Sequence, residues 1–228
     1  MPGCFVTGTD TGVGKTVVAA SIAAALRSRG IEVRARKPVV TGLDEPTDPC
    51  WPPDHELLAA AAGAPPGEVT RFLYGPAASP RLAAALAGEA LDPRALLAAS
   101  GAADRDRPGF LVVEGVGGLL VPLTGELSVR DLARELGLPL VIASRPGLGT
   151  INHTLLTLEA ARAVGLTIAG VVLTPWPPAP STLERSNLET IATLGTVPVA
   201  TLAPIQRADP ELLARAGEAL PLADWLGV

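Results

Sequence analysis

The nine residues Gly8 to Thr16, "GTDTGVGKT", decide how the rest of the chain is read. They follow a short apolar run, "CFVTG" (Cys4 to Gly8), and precede an Ala-rich run, "KTVVAASIAAALRSRG", that ends at Gly30. A strand, a glycine-rich turn and a helix in that order wrap backbone N–H groups and the positive end of a helix around an anion. Lys15 brings an ammonium to the same place. Its spacing, Gly-x5-Gly-Lys-Thr, is one residue longer than the usual Gly-x4-Gly-Lys-Thr, but the flanking strand and helix supply the context that a phosphate-cradling loop needs.

Working outward from this loop, short β-rich runs alternate with longer Ala/Leu-rich ones. "VRARKPV" reads as a second strand stopped by Pro38, which has no N–H to donate. A Pro-rich loop then leads to Asp54 and the helix "HELLAAAAG". The region from Gly63 to Gly88 is less regular, and "YGPAASPRLAAALAG" reads as a loop entering a helix. "PRALLAASGAA", "SVRDLARELG", "TINHTLLTLEAARAVG", "STLERSNLETIATLG" and "DPELLARAG" read as helices; "GFLVVEG", "PLVIAS", "TIAGVVL" and "VPVATL" read as strands. "TPWPPAP" (Thr174 to Pro180) reads as a rigid loop. This alternation predicts βαβ crossovers in an α/β fold of the P-loop nucleoside-triphosphatase type, with a mostly parallel sheet and helices on both faces. At 228 residues, one domain over 1–228 is expected.

Composition excludes several classes of function. The net charge of −5 argues against general nucleic-acid affinity, which needs basic surfaces. No segment approaches the roughly 18 uninterrupted apolar residues of a membrane span, and "MPGCFVTGTD" lacks the basic start of a signal peptide. Cys4 and Cys50 have neither metal-ligand spacing nor a disulfide framework, so a cytoplasmic location is expected. Only two of the 18 basic residues are lysines, Lys15 and Lys37. In a chain that uses arginine almost everywhere, Lys37 marks a position that calls for a compact ammonium instead of a planar guanidinium.

A nucleotide with Mg²⁺ needs hard oxygen ligands. Thr16 offers a hydroxyl. Glu114, at the end of the buried strand Phe110 to Glu114, offers a carboxylate that burial alone would make costly. Asp54 stands directly before a helix, so its local reading is an N-cap, with Asp44, Glu45 and Asp48 nearby as competitors. Thr11 suits either a phosphate contact or simple turn chemistry. Gly115, Gly117 and Gly118 allow close backbone approach to a ligand or a plain turn. "SRPGLGTINHT" enters a helix at Thr150, a further potential anion site, and His153 alone reads as a capping or packing residue.

Together "VTGTDTGVGKT", "KPVVTG", "VEGVGG" and "LGTINHTLLTLEA" resemble the dethiobiotin synthetases of biotin synthesis, a P-loop family that uses the longer loop spacing. The resemblance runs from the first strand to the last. It implies a ligase that converts 7,8-diaminononanoate, CO2 and ATP into dethiobiotin, ADP and phosphate with Mg²⁺, through a carbamate and a carbamic–phosphoric anhydride. It implies that Lys15 and Lys37 flank the reacting groups, with Thr11 contacting substrate and phosphate. Thr16, Asp54 and Glu114 become metal ligands, which lifts Asp54 above a cap. Gly12, Val13, Gly14, Val17, Gly115, Val116, Gly117, Thr174, Pro175 and Pro204 fall at nucleotide contacts. Thr41, Gly118, Thr150, Ile151, Asn152 and His153 fall at substrate contacts, the last four reaching across a homodimer interface to the substrate carboxylate.

Two departures stand out. Some members carry an acidic residue where this chain has Gly12, and some carry a base-reading Asn near Thr174, so the preferred nucleoside triphosphate stays open. The same core also resembles partition and septum-positioning ATPases, which usually add a lysine early in the loop; "TDTG" has none. Cobyrinate synthetases share the fold but need a glutamine-hydrolysing domain for which this length leaves no room.

Overall fold

The computed structural model describes residues 2–46, 48–104 and 107–228. Apolar β-rich segments form β1 (Gly3–Gly8), β2 (Val33–Arg36), β3 (Val39–Val40), β4 (Phe72–Leu73), β5 (Phe110–Gly118), β6 (Leu140–Ser144), β7 (Ile168–Leu173) and β8 (Val199–Thr201). Between them lie α1 (Lys15–Ser28), α2 (Asp54–Ala62), α3 (Pro66–Val69), α4 (Pro80–Leu86), α5 (Pro93–Ala99), α6 (Val129–Leu136), α7 (Thr150–Arg162), α8 (Thr182–Gly195), α9 (Pro210–Glu218) and α10 (Leu222–Leu226). Six strands make one sheet in the order β2-β5-β1-β6-β7-β8, and every neighbouring pair is parallel. This is the α/β architecture that the alternating pattern predicts.

Period-two side-chain alternation divides the core between the two faces of the sheet. Val6, Val112 and Val141 point to a layer built from α1, α2 and α9, with Ile22, Leu26, Leu58 and Leu213. Phe5, Leu111 and Ile142 point to the opposite layer, with Leu132 of α6, Leu158 of α7 and Ile191 of α8. Both faces are covered, so the strands read as continuous apolar runs. The small residues of α1 let α9 approach closely: a Cβ at Gly217 would lie 2.0 Å from the Ser21 carbonyl oxygen.

β1 lies between β5 and β6: the chain passes from β1 to β2 on one side of it and later crosses from β5 to β6 on the other, so the strand order reverses here. Ligands in such sheets collect beyond the carboxyl ends of the strands at this point. The Gly8–Thr16 loop, Lys37 and the end of β5 all gather there.

The structure revises several expected boundaries. The strand "VRARKPV" ends at Arg36, the Lys37 amide bonds the Val69 carbonyl at 2.9 Å, and Val39–Val40 pair with Phe72–Leu73 in a separate ladder. Pro38 cannot extend the main ladder, so the chain leaves the sheet at the residue before it. Strand β5 runs on to Gly118 and does not stop at Glu114. Helix α10 follows α9, and Trp225 fills the space over Gly170, where a Cβ would lie 2.3 Å from its ring. No described helix is long and apolar enough to cross a membrane.

Gly217→Ala should destabilise the fold by about 3 kcal/mol, because backbone and not a movable side-chain tip blocks the added methyl. Urea unfolding measures this, and a change below about 0.5 kcal/mol would show that α1 and α9 part without cost.

Candidate functional site

The loop after β1 folds back over its own strand. A Cβ on Gly8 would lie 2.7 Å from Val13 Cγ2, 2.9 Å from Lys15 Cγ and 3.0 Å from the Asp10 carbonyl oxygen, so only glycine permits the turn. Gly14 starts α1 with φ of 90° and packs on Thr174. The first amides of α1 have no partner within the helix and face the crevice. Val13 is buried beneath the loop, while Thr11 and Gly12 form its exposed tip. Asp10 Oδ1 accepts from the Thr11 amide at 2.7 Å, and Arg145 Nη2 donates to the Thr11 carbonyl at 3.1 Å.

Lys15 is buried, with its ammonium donating to the Asp10 carbonyl at 2.7 Å. Burial holds its pKa below the ordinary lysine value, against the pull of Glu114, while Lys37 adds repulsion. The charge is thus held at the loop by a single carbonyl, which an arriving phosphate would outbid.

Lys37 lies beyond the end of β2 and is 3% exposed. Its Nζ donates to Glu114 Oε1 at 2.6 Å and also to Asp54 Oδ2. Burial alone would lower its pKa, but the carboxylates of Glu114 and Asp54 outweigh burial and hold it above the ordinary value. Glu114 is 1% exposed, and its Oε2 has no hydrogen-bond partner. Burial pushes this carboxyl up, and Lys37 pulls it back only in part. Thr16 Oγ1 donates to the other oxygen, Oε1, at 2.8 Å. The Asp54 side chain stands half exposed; its surroundings disfavour the charge, yet Lys37 and Thr16 hold it below the usual carboxylate value. Asp54 is the first residue of α2 and caps nothing: Pro53 holds the cap position without a side-chain bond. The expectation of an N-cap therefore gives way to a charge pair.

Two carboxylates converge on one ammonium, and the Thr16 hydroxyl bonds the Glu114 oxygen that the ammonium also holds; the three oxygen groups come from separate elements. The set is all oxygen, which suits a hard divalent cation, and the unpartnered Glu114 Oε2 leaves acceptor capacity for one. Among the described residues no group of three or more His, Cys, Asp and Glu side chains forms a self-sufficient metal cage. A cation here would complete its shell with water or ligand oxygens.

Above this cluster opens a cleft of about 670 Å³. Its lining includes the expected Thr11, Gly12, Gly14, Lys15, Thr16, Val17, Lys37, Thr41, Asp54, Val116 and Gly117. Glu114 lies under its floor. Gly115 packs on Val129 and Phe5, and Gly118 pairs with Gly8, so neither lines it. Thr174 reaches it only through Gly14, while Pro175 and Pro204 are exposed elsewhere. Thr150, Ile151, Asn152 and His153 form the first turn of α7 outside the cleft, with Thr150 buried and Asn152 and His153 exposed. The sequence reading passed over Trp51, Pro52 and Ala77 to Pro80, which form the opposite wall. The local signal for the second group was Ser79-Pro80, a helix start; the β3–β4 ladder that leads into Ala77 to Pro80 is a long-range pairing.

A sequence profile described as an AAA domain matches residues 3–208. A protein of Haloferax mediterranei named ATP-dependent dethiobiotin synthetase BioD is 40% identical over 209 residues, covering 90% of this chain and 85% of its own. A namesake from Mycobacterium avium is 46% identical over 200 residues, covering 84% and 83%. Another from Anaeromyxobacter dehalogenans is 43% identical over 175 residues, covering 76% of each chain. Among solved structures, apo McdA of Cyanthece superposes with a TM-score of 0.52 at 14% identity, covering 99% of this chain and 95% of that one. Chloroplast FtsY of Physcomitrella patens gives 0.51 at 15% identity, covering 95% and 64%. These two likenesses show a shared fold.

Removing the ammonium should expose the cost of the buried carboxylate. Lys37→Met should destabilise the magnesium-free protein by about 3 kcal/mol, since it leaves Glu114 uncompensated. A folded state whose carboxyl pKa lies above the unfolded value is stabilised by protonation, so the variant's melting temperature should rise relative to wild type as pH is lowered from neutral. Thermal melts at a series of pH values check the sign; a parallel pH profile for both proteins would show that Lys37 does not hold the Glu114 charge.

Proposed function

The chain belongs to the ATP-dependent dethiobiotin synthetases, and from that premise we propose that it joins CO2 to 7,8-diaminononanoate at the expense of ATP, closing the ureido ring of dethiobiotin. The observation that carries the reading is the position of Lys37: its ammonium lies between the carboxylates of Glu114 and Asp54, on the same cleft that Lys15 and the phosphate loop border.

One substrate amine attacks CO2 and loses a proton, giving a carbamate. A carbamate oxygen then attacks the γ-phosphorus, and the bond to ADP breaks. The second amine attacks the carbonyl carbon of this anhydride, phosphate leaves with the bridging oxygen, and the ring closes. Phosphoryl transfer depends mainly on placement and charge neutralisation. The amides of Gly12 to Val17 would cradle the phosphates, and Lys15 would exchange the Asp10 carbonyl for the β- and γ-phosphate oxygens. Lys37 would hold the carbamate against the γ-phosphate. Thr11 and Thr41, both on the cleft wall, would bond substrate and transferred phosphate. Thr16, Asp54 and Glu114 fit a magnesium ion, which when bound neutralises phosphate charge.

In a homodimer, the first amides of α7, from Thr150 to His153, would receive the substrate carboxylate at the partner's cleft. This assignment accounts for a helix start that lies outside the chain's own cleft yet presents exposed residues. Gly115, Gly118, Thr174, Pro175 and Pro204 are assigned as outlying nucleotide and substrate contacts. Thr174 touches Gly14 of the phosphate loop, which supports its place on the nucleotide side. Neither Thr174 nor Pro175 has a carboxamide side chain, so base identity would be read weakly. A soluble cytoplasmic enzyme accords with these substrates.

Purified protein given diaminononanoate, bicarbonate, Mg²⁺ and ATP should form dethiobiotin and ADP in equal amounts. ATP turnover that ignores the diamine would refute the assignment. Lys37→Arg should lose about 100-fold in kcat although charge is kept, because a planar guanidinium cannot bond both carboxylates and a carbamate in the same buried space. Near-wild-type turnover would remove the role given to Lys37. Thr41→Val should raise KM for the diamine about fivefold, the worth of one hydrogen bond, and leave KM for ATP unchanged. An effect confined to ATP would contradict the substrate-side assignment.

A further inference from the structure

The segment from Arg145 to Gly149, "RPGLG", has little reason to hold one shape. Pro146 has no N–H, two of its five residues are glycine, and Leu148 at its tip is 90% exposed. Burial of apolar surface does not hold it in place. Yet it ends in the first turn of α7, whose direction the segment sets: Gly149 takes φ of 89° as the N-cap residue, and the Thr150 amide donates to the Gly147 carbonyl at 3.3 Å.

Two buried polar side chains clamp this turn from different elements. Beneath it, Ser144 at the end of β6 is 1% exposed and shares hydrogen bonds with Thr150 Oγ1 at 2.7 Å and Thr154 Oγ1 at 2.9 Å. The same hydroxyl lies 3.2 Å from Thr9 Oγ1, in the phosphate loop. Behind the turn, Asn187 of α8 is 4% exposed. Its amide nitrogen donates one proton to the Pro146 carbonyl at 2.9 Å and one to the Gly147 carbonyl at 3.2 Å. Gly147 thus accepts from both Asn187 and the first amide of α7, and the side chain fixes the carbonyl on which the helix start turns.

We propose that Asn187 is a positioning residue for the substrate: by holding the Pro146 and Gly147 carbonyls, it sets the first amides of α7 where a substrate carboxylate must meet them. The inference rests on the assignment of Thr150 to His153 to that carboxylate. Asn187 touches neither substrate nor nucleotide. The phosphate loop is anchored to α7 through Ser144, and its contact with Arg145 comes from the residue before the two carbonyls that Asn187 holds, so the effect falls chiefly on one substrate.

The test is Asn187→Leu, which keeps the branched outline and the number of side-chain heavy atoms and removes both donors; the freed carbonyls belong to half-buried residues and can be hydrated. In the intact enzyme, KM for diaminononanoate should rise about tenfold, with kcat and KM for ATP within about twofold of wild type, as expected for lost alignment of one binding group. Hydrogen exchange should quicken in 145–153 and stay unchanged in 8–18. Asn187→Gln, which keeps the amide, should recover part of the KM. A rise in both KM values with faster exchange throughout would mean that Asn187 serves only the fold, and an unchanged diamine KM in an active enzyme would overturn the inference alone. If the wild-type protein forms no dethiobiotin, the functional assignment fails and this inference fails with it.

Discussion

A carboxylate is buried at the centre of this protein, and an ammonium makes it tolerable. Glu114 lies in the middle of β5, 1% exposed, where a lone charge would be strongly disfavoured. Lys37 and Thr16 supply its bonds, and Asp54 shares the same ammonium. That one contact joins β2, β5, α1 and α2 at the carboxyl edge of the sheet. A buried ion pair seldom stabilises a fold more than apolar packing of the same volume would. Its place here accords with the paired charges that a phosphate-transfer site requires.

How much of this could be read from the sequence depended on range. The phosphate loop was legible because every part of it, strand, glycines, lysine and helix, falls within about 25 residues of chain. Lys37 was legible through scarcity of its type. Its partners were not, because 17 residues separate it from Asp54 and 77 from Glu114, and only the folded sheet brings them together. Asp54 shows how local rules mislead: an aspartate before a helix looks like a cap, but a buried ammonium within reach is the stronger partner. The Ala77–Pro80 wall of the cleft went unread for the same reason, since a two-residue ladder shows no periodicity.

Fold and chemistry part company in the comparisons. Structures at 14% and 15% identity share this sheet and its helices, and from them alone nothing follows about substrate. Relatives at 40% to 46% identity share the family. In the proposed reading, the second ammonium, Lys37 beside the cleft that Lys15 borders, is what suits this fold to a carbamate. At the tip of the phosphate loop, Gly12 offers no side chain, and Arg145 bonds the Thr11 carbonyl beside it. The polar clamp on the start of α7 has the same character: buried side chains, Ser144 and Asn187, hold a partly exposed stretch of backbone in place.

The proposed chemistry makes one oxygen atom change owner. With ¹⁸O-labelled CO2, diaminononanoate and ATP, single turnovers faster than exchange with water should deliver one ¹⁸O to the released phosphate and leave the other in the ureido carbonyl. Mass spectrometry of both products reads this directly. Phosphate without label, alongside dethiobiotin formed, would show that no carbamate oxygen ever reached the γ-phosphorus and would contradict the role of the paired lysines.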